Sequence, residues 1–127
     1  MLWARLEYER GFPDKAFEYI QEIEKNLANE PWEDSQLFLF FQQKGQVLNI
    51  LSKFDDALQS FEKAIEINNR ISNEVNLTNI YVFMTSIYLY GKKDFQKAHE
   101  YADKVIKLIK ILLISIYLLH VFFESYK

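Results

Sequence analysis

Cysteine is missing from this 127-residue chain, so disulfides and thiolate metal sites are excluded, and a reducing cytoplasm is the compartment that fits. Only three glycines and two prolines occur, too few for the many tight turns of an all-β protein. There is no basic stripe: 15 Lys and Arg are interleaved with 18 Asp and Glu, for a formal charge of −3. Nucleic-acid binding draws on counterion release by clustered cations, so no nucleic-acid partner is expected. The opening residues, MLWARLEYERG, carry charges where a secretory signal needs an unbroken apolar core. His99 and His120 are the only histidines and no HExxH spacing exists, so no metal site is expected. Phosphate-cradling glycine loops and the GxSxG elbow are absent as well. The carboxylate pairs Glu22–Glu24, Asp55–Asp56 and Glu62–Glu66 read as wet faces of amphipathic helices. Neither an enzyme nor a bound cofactor is expected.

What the chain does have is apolar bulk and a period. Half of its residues are hydrophobic, enough for a core without staples, and the reading is all-α. Ala16, Ala57 and Ala98 recur at intervals of 41 residues. Each opens an i, i+4, i+7 face: Ala16, Ile20, Ile23; then Ala57, Phe61, Ala64; then Ala98, Ala102, Val105. Twelve positions upstream of these alanines stand Ala4, Gly45 and Ser86, all small, and Phe54 and Phe95 precede their alanines by three. A lone amphipathic helix gains more from leucine than from alanine, so small residues at fixed spacing point to backbones in close approach. Stacked helical hairpins meet that description, because each pair buries its apolar face only against its neighbours.

These positions resemble the tetratricopeptide repeat, in a variant longer than the family's usual unit. The resemblance covers roughly residues 1–110 and is strongest over 38–70. It implies antiparallel helix hairpins stacked as a short right-handed superhelix, in three units spanning 1–30, 31–71 and 72–110. It also implies packing roles for Ala16, Gly45, Phe54, Ala57, Phe61, Ala64, Ser86, Phe95 and Ala98. The proline that commonly ends the second helix of a unit is missing. Local chemistry marks the boundaries: Pro13 suits a first helical position, and Pro31 begins the next unit. SKFDDA (52–57) makes one hairpin turn, with acidic residues suited to a helix start. GKKDF (91–95) makes another, with Gly91 as C-cap and Asp94 as N-cap.

In this family the first helix of each unit lines a concave groove that holds partner peptides. The groove positions carry over as Arg5 and Tyr8 in the first unit and Gln42, Gln43, Gln46 and Asn49 in the second. Those of the third are Phe83, Met84, Ile87 and Tyr90. The amides can pair with the backbone of an extended peptide whatever its sequence. The third row would supply an apolar pocket. Chaperone-binding members grip a carboxylate with Lys and Asn, where this chain has Gln42 and Gln46, then Phe83 and Ile87. That clamp is absent. The expected function is a scaffold that binds a peptide or partner protein. Two alternatives stand beside it: a peptide-sensing regulatory domain or antagonist without its own DNA reader, and a self-assembling structural subunit.

The last segment differs in kind. Eleven of the thirteen residues 111–123 are apolar, and neither Gly nor Pro interrupts them, so the final helix is expected to run on past Lys110 as an extension over 111–127. A segment apolar all round needs cover. Packing on the last repeat or a homodimer seam through 111–123 would supply it. A membrane is disfavoured for residues 111–123 alone, because thirteen helical residues reach only ~20 Å against a ~30 Å hydrocarbon core.

Overall fold

A computed structural model describes residues 11–29 and 31–126, which are helical almost throughout, with no strand among them. Five α-helices follow in order: α1 (Pro13–Asn26), α2 (Asp34–Ile50), α3 (Phe54–Ile71), α4 (Leu77–Ser86) and α5 (Phe95–Glu124). Short 3₁₀ turns, Leu27–Asn29 and Glu74–Asn76, precede α2 and α4, and a π-helical turn, Ile87–Gly91, closes α4.

The period is visible in the backbone. α1, α3 and α5 begin at Pro13, Phe54 and Phe95, 41 residues apart each time. Two residues before each start the chain turns left-handed: Gly11 (φ 82°), Ser52 (φ 59°) and Lys93 (φ 54°). The intervening residues also match, with φ/ψ of −115/65° at Phe12, −91/71° at Lys53 and −93/88° at Asp94. The three alanines then donate to equivalent carbonyls, Ala16 to Phe12 (3.1 Å), Ala57 to Lys53 (2.9 Å) and Ala98 to Asp94 (3.0 Å). Only the first of these turns carries a glycine. Ser52 and Lys93 hold the same conformation at a cost of about 1 kcal/mol each. Gly91, expected as the C-cap, lies inside the π turn, and Lys93 takes the left-handed position instead. Asp94 does cap α5, its Oδ1 accepting from the Lys97 N–H at 3.1 Å. α2 starts at Asp34 rather than at Pro31, because the Glu33 N–H donates to Gln36 Oε1 (3.0 Å) and makes Glu33 the cap.

α2 and α3 pack along their length as a hairpin, α1 lies against α2, and α4 is set between α3 and α5. Ala16, Ile20, Phe40 and Val47 form one buried cluster. Phe38, Leu48, Ala57, Phe61, Ala64, Ile67, Ile80, Met84, Ile87 and Ala98 belong to a second. Phe17 and Phe41 touch both clusters and join them into one core. At Gly45, α2 and α3 leave no room for a side chain: a Cβ there would lie 2.5 Å from the Phe61 ring. Phe61 also stacks on Phe83 of α4, with ring centroids 5.9 Å apart. Its burial is worth ~2–3 kcal/mol. Asn68, itself buried, donates to the Asn73 carbonyl (3.0 Å) and holds the turn from α3 into α4.

Although the second helices of the hairpins repeat at 41, the first helices repeat at 40. Phe40 and Val47 are buried in α2, and their buried counterparts in the next hairpin are Ile80 and Ile87. The closing bonds show the same offset. Lys53 N–H donates to the Leu48 carbonyl (2.9 Å), whereas Asp94 N–H donates to Tyr88 (2.8 Å). Leu51 reaches back four residues to Val47, while Lys92 reaches back five to Ile87. The π turn absorbs the extra residue, which is what such bulges do in a helix. Ser86 is half-buried and stands one residue round the helix from the position that matches Gly45, which Thr85 occupies.

α5 is a single helix of 30 residues. It packs on α4 through Ala98, Tyr101 and Leu108, then leaves the body. Packing of the final segment on the last repeat is therefore not what the fold does: residues 113–123 are all exposed. Too little of the body lies beyond α4 to reach them.

Candidate interaction surface

The amide row lies on α2, where Gln42, Gln46 and Asn49 share a helix face at i, i+4, i+7 and are half-buried. Gln43 stands beside them, its Oε1 shut off from solvent and without a hydrogen-bond partner among the described residues. Neighbouring polar groups of α2 are already engaged. Lys44 pairs with Glu24 of α1 at 2.8 Å, and Asp34 takes Arg70 of α3 at 2.9 Å. The Arg70 hydrogen bond holds the Asp34 carboxyl below the usual carboxylate range and raises the guanidinium in turn. Between hairpin turns, Lys92 pairs with Asp55, whose hydrogen bond raises the ammonium.

The third row corrects the expectation. Met84 and Ile87 are buried in the core and present nothing to a ligand, and Phe83 is committed to its stack on Phe61. Tyr90 is 74% exposed. The reason is the 40-residue register: carrying the amide row across by 41 lands one residue round the helix, on the core side. At the correct offset the equivalents of Gln42, Gln43, Gln46 and Asn49 are Val82, Phe83, Ser86 and Leu89. Val82 is exposed and the other three are half-buried. Sequence reasoning missed Val82 and Leu89. The available signal was the apolar run Leu77, Ile80, Met84, Ile87, which matches Leu37, Phe40, Lys44 and Val47 only at 40. Arg5 and Tyr8, the expected first row, lie outside the described residues.

On the opposite flank α4 and α5 share an aromatic cluster. Tyr88 stacks on Tyr101 (5.6 Å), Tyr81 approaches the same ring (5.8 Å), and Lys104 sits 4.8 Å above it. Burial pushes the phenols of Tyr81 and Tyr101 above their usual value. A cleft of about 560 Å³ opens beside them, lined in part by Asn68, Glu74, Tyr81, Lys104 and Lys107.

Phe95 is a second correction. It was expected to pack between repeats, yet 63% of it is exposed. Its counterpart Phe54 is half-buried because Gly91 lies over its ring, at 2.9 Å from where a Cβ would stand. Among the described residues no helix plays that part for Phe95. The other packing residues, Ala16, Gly45, Ala57, Phe61, Ala64 and Ala98, are all buried.

Compared with known protein families, with curated proteins and with solved structures, the chain matches none.

Proposed function

We propose that this chain is a protein-interaction module, a short tetratricopeptide-like array that holds an extended peptide or partner helix along the face carried by α2 and α4. The observation behind the reading is the half-buried amide row Gln42, Gln46 and Asn49 on one face of α2. Amide side chains bring donors and acceptors together, so they can bond the unpaired backbone of an extended peptide. In this reading Val82 and Leu89 contribute the apolar end of the site, and Phe83 forms its floor. The recurrence of the left-handed turn at Gly11, Ser52 and Lys93 supports the likeness to stacked hairpin repeats.

Thermal melts against a library of short extended peptides test it. A peptide present at 100 times its dissociation constant should add about 2.7 kcal/mol of stability. Gln46→Ala and Asn49→Ala should weaken a captured peptide, each lost hydrogen bond being worth ~1 kcal/mol, while the unliganded melt stays put. Unchanged affinity in both variants would remove α2 from the site.

A further inference from the structure

We propose that the outer half of α5 is a lipid-facing segment that anchors the hairpin body to a bilayer. Every residue from Leu113 to Phe123 is exposed, and only Ser115, Tyr117 and His120 among them carry a polar side-chain atom. Successive residues turn about 100° around a helix, so any four consecutive side chains ring it. The runs 111–114 and 116–119 do so with aliphatic groups and one tyrosine. A seam with a second copy uses one stripe of a helix and leaves the opposite stripe in water. Lipid covers the whole circumference. That difference selects the bilayer over a partner protein.

The polar groups present suit hydrocarbon. Helical backbone satisfies its own N–H and C=O groups, and the Ser115 hydroxyl donates to the Ile111 carbonyl at 2.9 Å. At the far end Phe122 packs against Phe123 (5.7 Å) and Tyr126 (4.9 Å), the aromatic composition that membrane interfaces favour. At the body end Lys104, Lys107 and Lys110 are all exposed, matched in sign to anionic headgroups.

Length no longer stands against the assignment. Residues 111–123 alone are short, but α5 is continuous from Phe95 and contains an 18-residue window apolar enough to cross a membrane, in which Leu108 still touches the body and everything from Leu113 on is exposed. Eighteen helical residues reach ~27 Å, close to the thickness of the thinner biological bilayers. Lys107 and Lys110 extend their aliphatic stems back toward the headgroups.

The test is flotation of the full chain with vesicles of phosphatidylcholine containing an anionic phosphatidylglycerol fraction. The chain should rise with the vesicles and stay with them through high salt and alkaline carbonate. The doubly substituted chain Ile114→Arg, Leu118→Arg should lose at least about a hundredfold in partitioning, while the thermal melt of the hairpin body is unchanged. Fluorescence of a Phe122→Trp chain should be quenched by brominated acyl chains beyond the parent's own quenching. Release by salt, equal flotation of the arginine variant, or a lipid-independent dimer that stays with the aqueous fraction would each overturn the proposal.

Discussion

Placed 41 residues apart, α3 and α5 are the same helix in two circumstances. Both follow a left-handed residue, and both bury an alanine at the fourth position against a preceding helix. α3, however, is enclosed on two sides. α2 reaches it across Gly45, and α4 covers Phe54 with Gly91 and Phe61 with Phe83. α5 has α4 alone. Positions 54, 58, 61, 65 and 68 of α3 are buried or half-buried, and of their equivalents 95, 99, 102, 106 and 109 only Ala102 is not exposed. What a helical repeat buries is therefore a property of its neighbours as much as of its own apolar pattern. The side chains record this, since Phe61 becomes Ala102 and Leu58 becomes His99 where, among the described residues, no further helix lies across them. His99 pairs with Asp103 at 3.4 Å instead.

The largest effect should come from emptying the enclosed position. Phe61→Ala is expected to lower stability by about 3–5 kcal/mol in urea unfolding, whereas Phe95→Ala, at the bare counterpart of Phe54, should change it by no more than ~0.5 kcal/mol. Comparable losses from the two would erase the distinction between the helices. Gly45→Ala should come next, at about 1–3 kcal/mol, because its Cβ meets the face of a fully buried ring rather than a flexible chain end. In the opposite direction, Ser52→Gly and Lys93→Gly should each raise stability by about 1 kcal/mol, since both turns are left-handed without glycine. Equal gains would show that the two turns are energetically as well as geometrically equivalent.

The smallest effects are electrostatic. Asp34 has a folded pKa depressed by Arg70, so its contribution is present above the unfolded carboxylate pKa and is lost as pH falls through the folded one. Asp34→Asn should flatten that part of an acid-unfolding curve. Tyr81 and Tyr101 act at the other extreme. Burial raises their folded pKa, so their contribution is whole below the unfolded phenol value and is lost as pH rises through the folded one. Tyr101→Phe should reduce the alkaline loss in the α4–α5 hairpin, and chemical denaturation at two alkaline pH values would read it.

Much of the backbone could be anticipated. The recurrence of Ala16, Ala57 and Ala98 located three helix starts, and the small Gly45 pointed to a close approach of neighbouring helices. The candidate site was harder to foresee because a periodicity taken from one set of helices was applied to the other. The π turn at Ile87–Gly91 inserts a residue without turn-forming composition of its own, and its one mark in the chain is the apolar run Leu77, Ile80, Met84, Ile87, set 40 rather than 41 residues after its counterpart. Met84 and Ile87 were drawn into the groove for that reason, and Val82 and Leu89 were passed over. Phe95 failed differently. Its residue type and spacing matched those of Phe54, and what differed was a covering helix that lies outside its own neighbourhood.

Helix class, hairpin punctuation and the apolar stretch beyond Lys110 follow from local chemistry: composition, 3.6-residue patterning and capping residues act over a few positions and need no partner to be read. Which faces are covered, where the register slips from 41 to 40, and that α5 projects from the body bare on every side depend on contacts between residues distant in the chain. Burial is a relation between surfaces: Phe54 is half-buried in α3 and its counterpart Phe95 exposed in α5 because, among the described residues, only α3 is covered on two sides.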